Sequence, residues 1–300
     1  MTSDLTIPNW FQIWWLAIRP RTLPAAIAGV AVGSALALYD RTFRPIPALA
    51  ALLVAFLLQI GSNLANDVFD YERGADSARR HGPLRVTQSG LLTPDQVKGG
   101  MWTAFALAGL FGLYLTFEAG WVVLLVGLVA IFSAITYTGG PFPLGYYGLG
   151  DLFVFLFFGL ASVAGTYFVQ AGKVSPAAWW MSLPIGLIVV GILVVNNLRD
   201  IETDRLAGKH TLAVMLGGHF AKGEYLFCLL VAFLCLPVLC AFGVLPWLSL
   251  LPWITLPLAW KFTWVVFTQK GKTLNTALAG TGQLALGFSV LFLVGLLLTM

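Results

Sequence analysis

The sequence predicts an all-α protein that crosses a membrane many times, on the basis of its composition and its long apolar runs. Of its 300 residues, 59% are hydrophobic and only 10% are charged, whereas about a quarter of residues are charged in soluble domains. Repeated runs of about twenty apolar residues match the length that a helix needs to cross a hydrocarbon core of about 30 Å. A soluble fold with a very large core is disfavoured, because too little polar surface would remain to keep it dissolved.

Nine membrane-spanning helices are predicted along the chain. The first segment, Trp10–Tyr39, opens on aromatic residues, which favour the headgroup level, and carries two arginines before its apolar part. Two pairs of neighbouring spans have very short connections, which suit antiparallel helices in a bundle. The other eight spans are predicted at residues 46–66, 98–117, 120–138, 150–171, 177–197, 223–242, 245–267 and 276–298.

The basic residues indicate an orientation. Fourteen of the seventeen Lys and Arg residues fall in segments on the same side as the N-terminus, and only Arg41, Arg44 and Lys173 fall on the other side. Since cytoplasmic loops carry the excess of positive charge, we expect an internal N-terminus and an external C-terminus in the cell (plasma or inner) membrane. The N-terminal residues lack a basic region followed by a cleavage site, so no removable signal peptide is predicted.

We expect a single membrane-embedded domain over residues 1–300, with cytoplasmic motif loops at about 66–97 and 198–222. These loops follow the second and sixth spans, which lie four helices apart and point the same way. The spacing predicts two four-helix halves plus a ninth helix, with the loops forming a cytoplasmic cap. It also predicts that the two loops meet in space.

Several classes of function are disfavoured. The net charge of +4 comes from loops that flank the membrane, so it does not indicate a nucleic-acid partner. Cys228, Cys235 and Cys240 lie in one apolar segment without metal-ligand spacing, and we interpret them as packing residues. The glycine-rich signature of a P-loop is absent. A transporter is a rival, because carboxylates within a membrane often mark ion routes; here the acidic residues lie at helix ends.

Acidic residues are concentrated in two places. Seven of the thirteen Asp and Glu residues lie where the second and sixth apolar runs end. Asp67 and Asp70 are spaced i,i+3 and Asp200 and Asp204 are spaced i,i+4, so each pair shares a helical face if its helix continues. Four opposed carboxylates would repel one another, and Mg²⁺ together with phosphate oxygens and water relieves that repulsion. Neutral oxygens at the same depth are offered by Asn63, Asn66, Asn196 and Asn197.

Basic residues next to both acidic clusters suit a diphosphate. The planar guanidinium of arginine binds phosphate oxygens bidentately, and long apolar helices would surround the tail of a lipid substrate. Charged loop residues without a special role are the alternative for either cluster alone, and finding two equivalent clusters disfavours it. For Arg19 and Arg21, two interpretations stand: anchors at the interface, or cations that face a polar cavity.

These motifs resemble the two acidic motifs of the intramembrane aromatic prenyltransferase (UbiA) superfamily, and the resemblance covers essentially the whole chain. The matching stretches are residues 66–70 (NDVFD) and 200–204 (DIETD). The superfamily places a third Asp four residues after the second; here Gly74 stands at that position and Asp76 lies two residues further on. The resemblance implies nine helices in a ring around a lipid-facing central cavity, with Mg²⁺ as the cofactor.

Other stretches are similar to the 1,4-dihydroxy-2-naphthoate prenyltransferases of menaquinone synthesis. That similarity implies transfer of a prenyl group from a polyprenyl diphosphate to 1,4-dihydroxy-2-naphthoate, with loss of CO₂ and diphosphate, giving demethylmenaquinone. A phytyl donor, the prenyl length, the oligomeric state and other aromatic acceptors (4-hydroxybenzoate, homogentisate, haem) stay open. The stretches are residues 19–24 (RPRTLP), 82–90 (GPLRVTQSG), 137–141 (YTGGP), 148–151 (GLGD), 196–205 (NNLRDIETDR) and 208–212 (GKHTL).

The resemblance also implies roles for individual residues. The expected metal ligands are Asp67, Asp70, Asp200, Asp204, Asn63 and Asn66. The expected diphosphate ligands are Arg19, Arg21, Arg73, Arg85, Arg199 and Lys209. The residues expected at the naphthoate are Asn197, Asp151, Arg85 and Gln88, with helix capping an equal alternative for Asp151. Tyr137 is expected beside the allylic cation, and an interfacial tyrosine is the alternative there.

Overall fold

A computed structural model describes residues 8–75, 82 and 84–300, and the regular structure in these residues is helical throughout. Short 3₁₀ turns lie at Pro20–Thr22, Leu144–Tyr146 and Gly271–Thr273. The N-terminal helices are α1 (Trp10–Ile18), α2 (Leu23–Tyr39), α3 (Pro45–Glu72), α4 (Pro94–Ala119), α5 (Trp121–Thr136) and α6 (Gly150–Ala171). The C-terminal helices are α7 (Pro176–Arg199), α8 (Ile201–Leu206), α9 (Leu212–Leu216), α10 (Gly218–Ala241), α11 (Trp247–Thr268) and α12 (Leu274–Leu297).

Eight of the nine predicted spans are confirmed, within the described residues, as apolar helical segments of at least 22 residues. The ninth prediction, over residues 120–138, corresponds to α5, which has 16 residues. At 1.5 Å per residue this helix is about 24 Å long, shorter than a hydrocarbon core of about 30 Å. The count of nine full-length spans is therefore not confirmed, although an apolar helix does occupy the ninth place.

The first predicted span is divided by a break at Arg19. Its backbone has φ 52° in the left-handed region, which is uncommon for a residue with a side chain. The amide of Arg19 bonds to the carbonyl of Leu16 at 3.3 Å, which closes α1, and Pro20 then opens the next turn. The amphipathic start of the segment thus becomes a separate short helix, and Arg19 lies at the corner between the two.

Local sequence explains where the other helices begin and end. Thr93 caps α4 in a capping box with Gln96, and Ser175 caps α7 just before a proline at the first helical position. Gly120 and Gly172 have φ 96° and 72°, a conformation that glycine adopts without strain, and they end α4 and α6.

Helix α6 contains an unusually wide stretch. Residues Phe155–Ala164 follow the i→i+5 pattern of a π-helix, which is rare and occurs mostly as single turns. Neighbouring helices approach this stretch closely: a Cβ on Gly33 of α2 would lie 2.5 Å from the carbonyl oxygen of Val163, and one on Gly159 would lie 2.7 Å from that of Ser182. The missing side chains allow α2 and α7 to pack directly on the backbone of α6.

The helices form a ring that closes between α2 and α12. Helix α3 packs along α4 and α4 along α5, while α7 packs against α6, α10 and α12. The larger apolar core joins α2 to α6, α7 and α10–α12 around Ile188, Tyr225 and Phe288. A smaller core joins α1, α3 and α4 to the segment after α3, with Val68, Val86 and others at its centre. Inside this arrangement lies a space bounded by α2, α3, α5, α6 and α7.

Candidate active site

The enclosed space is a cavity of about 830 Å³ with a polar end and an apolar body. Small and aromatic apolar side chains from α2, α3, α5 and α6 form the body, for example Ala51, Ala130 and Phe157. Val126 of α5 lines the cavity and is also 43% exposed, so the cavity opens to the protein surface there. The polar end collects residues from both predicted motif regions: Asn63, Asn66, Asp70, Arg85, Asn196, Asn197, Asp200, Asp204 and Lys209.

Asp70 is the centre of the polar end. The last turns of α3 carry it, and only 2% of its surface is exposed. Its carboxylate accepts hydrogen bonds from Arg85 Nη2 at 2.9 Å and from the hydroxyl of Tyr146 at 2.9 Å. Lys209 Nζ lies 3.2 Å from both carboxylate oxygens. One buried carboxylate is thus held by two cations and a phenol.

Lys209 connects the two acidic clusters. Besides Asp70, its Nζ lies 3.9 Å from Asp204 Oδ1 and 4.8 Å from the centre of the Tyr146 ring. The backbone holds it there, because the amide of Lys209 bonds to the carbonyl of Asp204 and the next amide, of His210, bonds to the carbonyl of Tyr146. The expectation that the two clusters meet in space is confirmed.

Tyr146 was missed in the sequence analysis. It lies in the turn Leu144–Tyr146, is 9% exposed and packs its ring beneath Lys209 and Arg73. Burial and then the neighbouring Asp70 carboxylate raise the pKa of Tyr146, so its hydroxyl stays protonated and donates to that carboxylate. The available signal was its position shortly before the GLGD stretch, but one of two adjacent tyrosines between Gly145 and Gly148 does not by itself indicate a site.

Asp67 lies about one turn before Asp70 on α3 and does not face the cavity. It is 1% exposed and does not line the cavity. Its two carboxylate oxygens accept from the backbone amides of Val86 at 3.3 Å and Thr87 at 3.0 Å, and Arg19 Nη2 lies 3.6 Å away. The first cluster therefore divides into one carboxylate at the cavity and one under the segment that follows α3.

The second cluster is fixed by Arg199. Its guanidinium, only 3% exposed, donates to both carboxylate oxygens of Asp200. It also donates to Asn196 Oδ1 and, on α12, to Asn275 Oδ1, each at 2.8 Å. Arg199 does not line the cavity, whereas Asp200 and Asn196 do. These bonds join the end of α7 to α12.

The asparagines of the first cluster stabilise neighbouring backbone. Asn63 Nδ2 donates to the carbonyl of Ile18 at 3.0 Å and to Thr22 Oγ1 at 2.9 Å, so it holds the break between α1 and α2. Asn66 Oδ1 accepts from the hydroxyl of Thr138 at 3.0 Å. Both asparagines line the cavity.

The remaining predicted site residues divide into two groups. Tyr137, Asn197 and Arg19 line the cavity, and the Tyr137 hydroxyl lies so close to Gly150 that a Cβ there would be 2.7 Å from it. Four others lie outside the lining: Arg21, Arg73, Gln88 and Asp151. Of these, Arg73 donates to the carbonyls of Thr138 at 2.8 Å and Gly140. Asp76, whose role the sequence left open, lies outside the described residues.

The polar end fits a divalent cation only together with a ligand that brings its own oxygens. Among residues 8–75, 82 and 84–300, no three carboxylate, imidazole or thiol groups gather into a ready metal site. The carboxylates and amides present are the hard oxygen donors that Mg²⁺ takes, and Mg²⁺ typically uses one or two carboxylates with phosphate oxygens and water. Asp70 and Asp204, on either side of Lys209, match that limited requirement.

The family profile that matches the chain decides its classification. The profile of the UbiA prenyltransferase family matches residues 25–280, which include both acidic clusters. The chain belongs to the UbiA prenyltransferase family. Its resemblance to that family, inferred from the motifs, is confirmed, and with its long apolar helices it is a multi-pass membrane protein.

Three relatives from bacteria have the same activity name. A protein of Haemophilus influenzae is 37% identical over 99% of this chain and 100% of its own, and one of Escherichia coli is 39% identical over 96% of each. One from Mycobacterium tuberculosis is 45% identical over 69% of this chain and 70% of its own. All three are called 1,4-dihydroxy-2-naphthoate octaprenyltransferase.

Solved structures of UbiA homologues share the fold. The apo structure from Aeropyrum pernix has a TM-score of 0.69 at 16% identity, covering 98% of this chain and 100% of the other. A homologue from Archaeoglobus fulgidus, bound to GPP and Mg²⁺, has a TM-score of 0.66 at 15% identity, covering 95% and 99%. At these identities the likeness extends to the fold of this family member and no further.

Proposed function

We propose that the protein transfers a prenyl group from a polyprenyl diphosphate to 1,4-dihydroxy-2-naphthoate, with loss of diphosphate and CO₂, giving demethylmenaquinol, the reduced form of demethylmenaquinone. The observation that carries the proposal is the Asp70–Lys209–Asp204 bridge at the polar end of an apolar cavity. Full-length relatives at 37% and 39% identity, named for this naphthoate and an octaprenyl group, support the choice of substrates.

The charges at the polar end support a requirement for Mg²⁺. Arg85 and Lys209 face the carboxylates of Asp70 and Asp204, and Arg199 faces that of Asp200, so these charges cancel and the site has little positive charge left for an incoming diphosphate. A divalent cation arriving with the diphosphate would supply it, with Asp70, Asp200, Asp204, Asn63 and Asn66 as its oxygen donors. Asp67 was expected as a further ligand, but it does not line the cavity and both of its oxygens accept from backbone amides, so it is not a ligand in this proposal. When bound, Mg²⁺ stabilises the negative charge that develops on the leaving diphosphate.

The basic residues around the site bind the diphosphate in this proposal. Arg85 and Lys209 lie within the cavity wall and can turn from carboxylates to phosphate oxygens over a short distance. Arg19 lines the same end at the corner between α1 and α2. Three other arginines expected at the diphosphate do not line the cavity, and they contribute positive charge behind its wall: Arg21, Arg73 and Arg199. Such preorganised donors stabilise developing charge more than mobile water does.

The bond changes in the proposed reaction balance without an added base. The bond between the allylic carbon and the diphosphate oxygen breaks, and the diphosphate leaves with the electron pair. The naphthoate carbon that bears the carboxylate forms a bond to the allylic carbon, and CO₂ then leaves in place of a proton. Tyr137 lines the cavity where its ring can stabilise the allylic cation. Asn197 and Arg85, which line the cavity, are proposed to hold the naphthoate, whereas Asp151 and Gln88, also expected there, lie outside the lining.

The proposed location is the cell inner membrane, with the polar end of the cavity facing the cytoplasm. The distribution of basic residues supports an internal N-terminus and an external C-terminus. A reporter fused to the C-terminus that is active only when exported would support this orientation. Activity of a reporter that requires the cytoplasm would contradict it.

One assay tests the proposed function. Purified protein in lipid nanodiscs receives 1,4-dihydroxy-2-naphthoate and prenyl diphosphates of graded length, with Mg²⁺ or with excess EDTA, and mass spectrometry follows the products. We expect a product whose mass equals naphthoate plus prenyl group minus CO₂, formed only with Mg²⁺. Full activity in EDTA, or preference for 4-hydroxybenzoate or homogentisate in competition, would contradict the proposal. Flux of substrate through sealed vesicles without a change of mass would indicate a transporter instead.

A further inference from the structure

We propose that Asp67 is a positioning residue that anchors the segment of residues 84–92, and with it Arg85, and is not a metal ligand. The inference rests on the proposed function for its consequence, since Arg85 matters there as a cation at the diphosphate. Its physical basis is independent of that function. It lies in the contacts of one carboxylate with two backbone amides.

Both oxygens of Asp67 are already used by donors. Oδ1 accepts from the amide of Thr87 at 3.0 Å, and Oδ2 accepts from the amide of Val86 at 3.3 Å while facing Arg19 Nη2 at 3.6 Å. Val86 is fully buried and Thr87 is 4% exposed, so water is a poor substitute for this acceptor. A metal bound to Asp67 would take oxygens on which two buried amides depend, and leaving buried donors unsatisfied is costly.

The anchored segment forms a compact unit. The amide of Ser89 bonds to the carbonyl of Arg85 at 3.0 Å, and the amide of Leu91 bonds to that of Val86 at 3.0 Å. Val86 and Leu92 pack into the smaller apolar core between α3 and α4. The amides of Val86 and Thr87 lie at the start of this unit, and the carboxylate of Asp67 fixes that start to α3.

The anchor determines where Arg85 lies. Arg85 directly precedes the two bonded amides, is 4% exposed, and lines the cavity with Nη2 at 2.9 Å from Asp70. Asp67 and Asp70 are nearly one turn apart on α3, so one helix end holds both the backbone and the side chain of the same short stretch. Asp67 thus acts on the proposed diphosphate through Arg85.

The Asp67→Asn variant tests the anchor, with Asp70→Asn and Glu72→Gln as matched controls. Asparagine replaces one acceptor oxygen with an NH₂ group that opposes an amide donor. We expect hydrogen exchange in peptides covering residues 84–92 to become about tenfold faster, as for loss of one charge-assisted hydrogen bond. Binding of Mn²⁺, measured at a saturating concentration of a non-reactive prenyl diphosphate analogue, should change less than about twofold. The variant should raise KM for the prenyl diphosphate more than it lowers kcat.

The controls separate the two roles. Asp70→Asn should weaken Mn²⁺ binding and leave exchange at residues 86 and 87 nearly unchanged. Glu72→Gln, which changes an exposed carboxylate on the same helix, should alter neither. The proposal is overturned if Asp67→Asn weakens Mn²⁺ binding as much as Asp70→Asn does, or if exchange over residues 84–92 stays at the wild-type rate.

A measurement on the wild-type protein covers the case in which Asp67→Asn does not fold. Saturating Mn²⁺ and analogue should leave exchange of the Val86 and Thr87 amides unchanged or slower. Faster exchange would mean that the metal has taken the oxygens of Asp67, and it would refute the anchor. Absence of prenyl transfer would refute only the proposed function. The role of Asp67 is tested by the hydrogen-exchange rates, which do not depend on catalytic turnover.

Discussion

The two acidic clusters have similar spacing but different partners. In the first cluster, Asp67 accepts from amides 19 and 20 residues away, so it determines the path of a segment distant in sequence. In the second cluster, Asp200 is bonded by the adjacent Arg199, which reaches across to Asn275 on α12. Each cluster has one carboxylate held by the surrounding protein and one, Asp70 or Asp204, that faces Lys209. Carboxylates with similar spacing along a helix, i,i+3 or i,i+4, therefore need not have the same role.

The largest effect is expected for the carboxylates that face Lys209. Asp70→Asn removes the charge to which Arg85, Tyr146 and Lys209 are directed, and we expect kcat/KM to fall about 10³-fold, as for loss of a principal charge-stabilising group. Asp204→Asn should follow in the same direction. Steady-state kinetics with 1,4-dihydroxy-2-naphthoate measures both. Full activity in both variants would contradict the distinction between the carboxylates, because the two that face Lys209 would then not act in the reaction.

The next effect concerns stability in the second cluster. Arg199→Met leaves the buried carboxylate of Asp200 without its partner, which costs about 3 kcal/mol in typical buried pairs. We therefore expect a lower Tm for the detergent-solubilised protein. The double variant Arg199→Met/Asp200→Asn should recover part of the loss, because the unpaired charge is gone. A Tm equal to wild type in the single variant would show that the two clusters do not differ in this way.

A smaller effect is expected at Tyr146. Tyr146→Phe removes the hydroxyl that donates to Asp70 but keeps the ring beneath Lys209 and Arg73. Loss of one hydrogen bond to a charged group predicts about a tenfold fall in kcat/KM. The adjacent Tyr147, which is 54% exposed, offers the matched control, and Tyr147→Phe should leave kcat/KM unchanged. Equal effects of the two substitutions would contradict the role of the hydroxyl.

The smallest effect is expected at the exposed end of the first cluster. Glu72 pairs with Lys98 at 2.5 Å, but both side chains are more than a third exposed. Exposed pairs contribute about 0.5 kcal/mol or less, so Glu72→Gln should change neither Tm nor kcat/KM measurably. A large loss would mean that the cluster acts as a continuous acidic surface rather than through Asp67 and Asp70.

Much of the fold followed from the sequence because the bilayer imposes simple rules. Apolar runs of about twenty residues located eight long helices, and the charged ends of α3 and α7 indicated the site. The meeting of the two clusters followed from their positions at the ends of the second and sixth predicted spans, which lie four helices apart and point the same way. The short length of α5 and the corner at Arg19 could not be predicted in this way. An apolar composition indicates that a segment lies in the membrane, but it does not indicate where the backbone turns.

The division of roles within each cluster was beyond the sequence. Asp67 and Asp70 are the same residue type one turn apart, and only their contacts with distant parts of the chain distinguish them. Arg199 and Lys209 were both assigned to the diphosphate, yet one is bonded behind the cavity wall and the other lies in it. Tyr146 was missed because its importance comes from contacts with residues far along the chain.

Because α6 contains a π-helical stretch, the number of residues in this helix can change during evolution, and not only its side chains. Phe155–Ala164 accommodates more residues per turn than an α-helix would. In a regular α-helix each deleted residue rotates the part that follows by about 100°, whereas this stretch can absorb the loss of one residue by tightening its wide turns to α-helical geometry. That part presents Phe168 to the cavity and joins Tyr167 to Asp40 at 2.5 Å. A single-codon deletion within the π-helical stretch should therefore disturb these contacts less than the same deletion in the α-helical turns on either side of it.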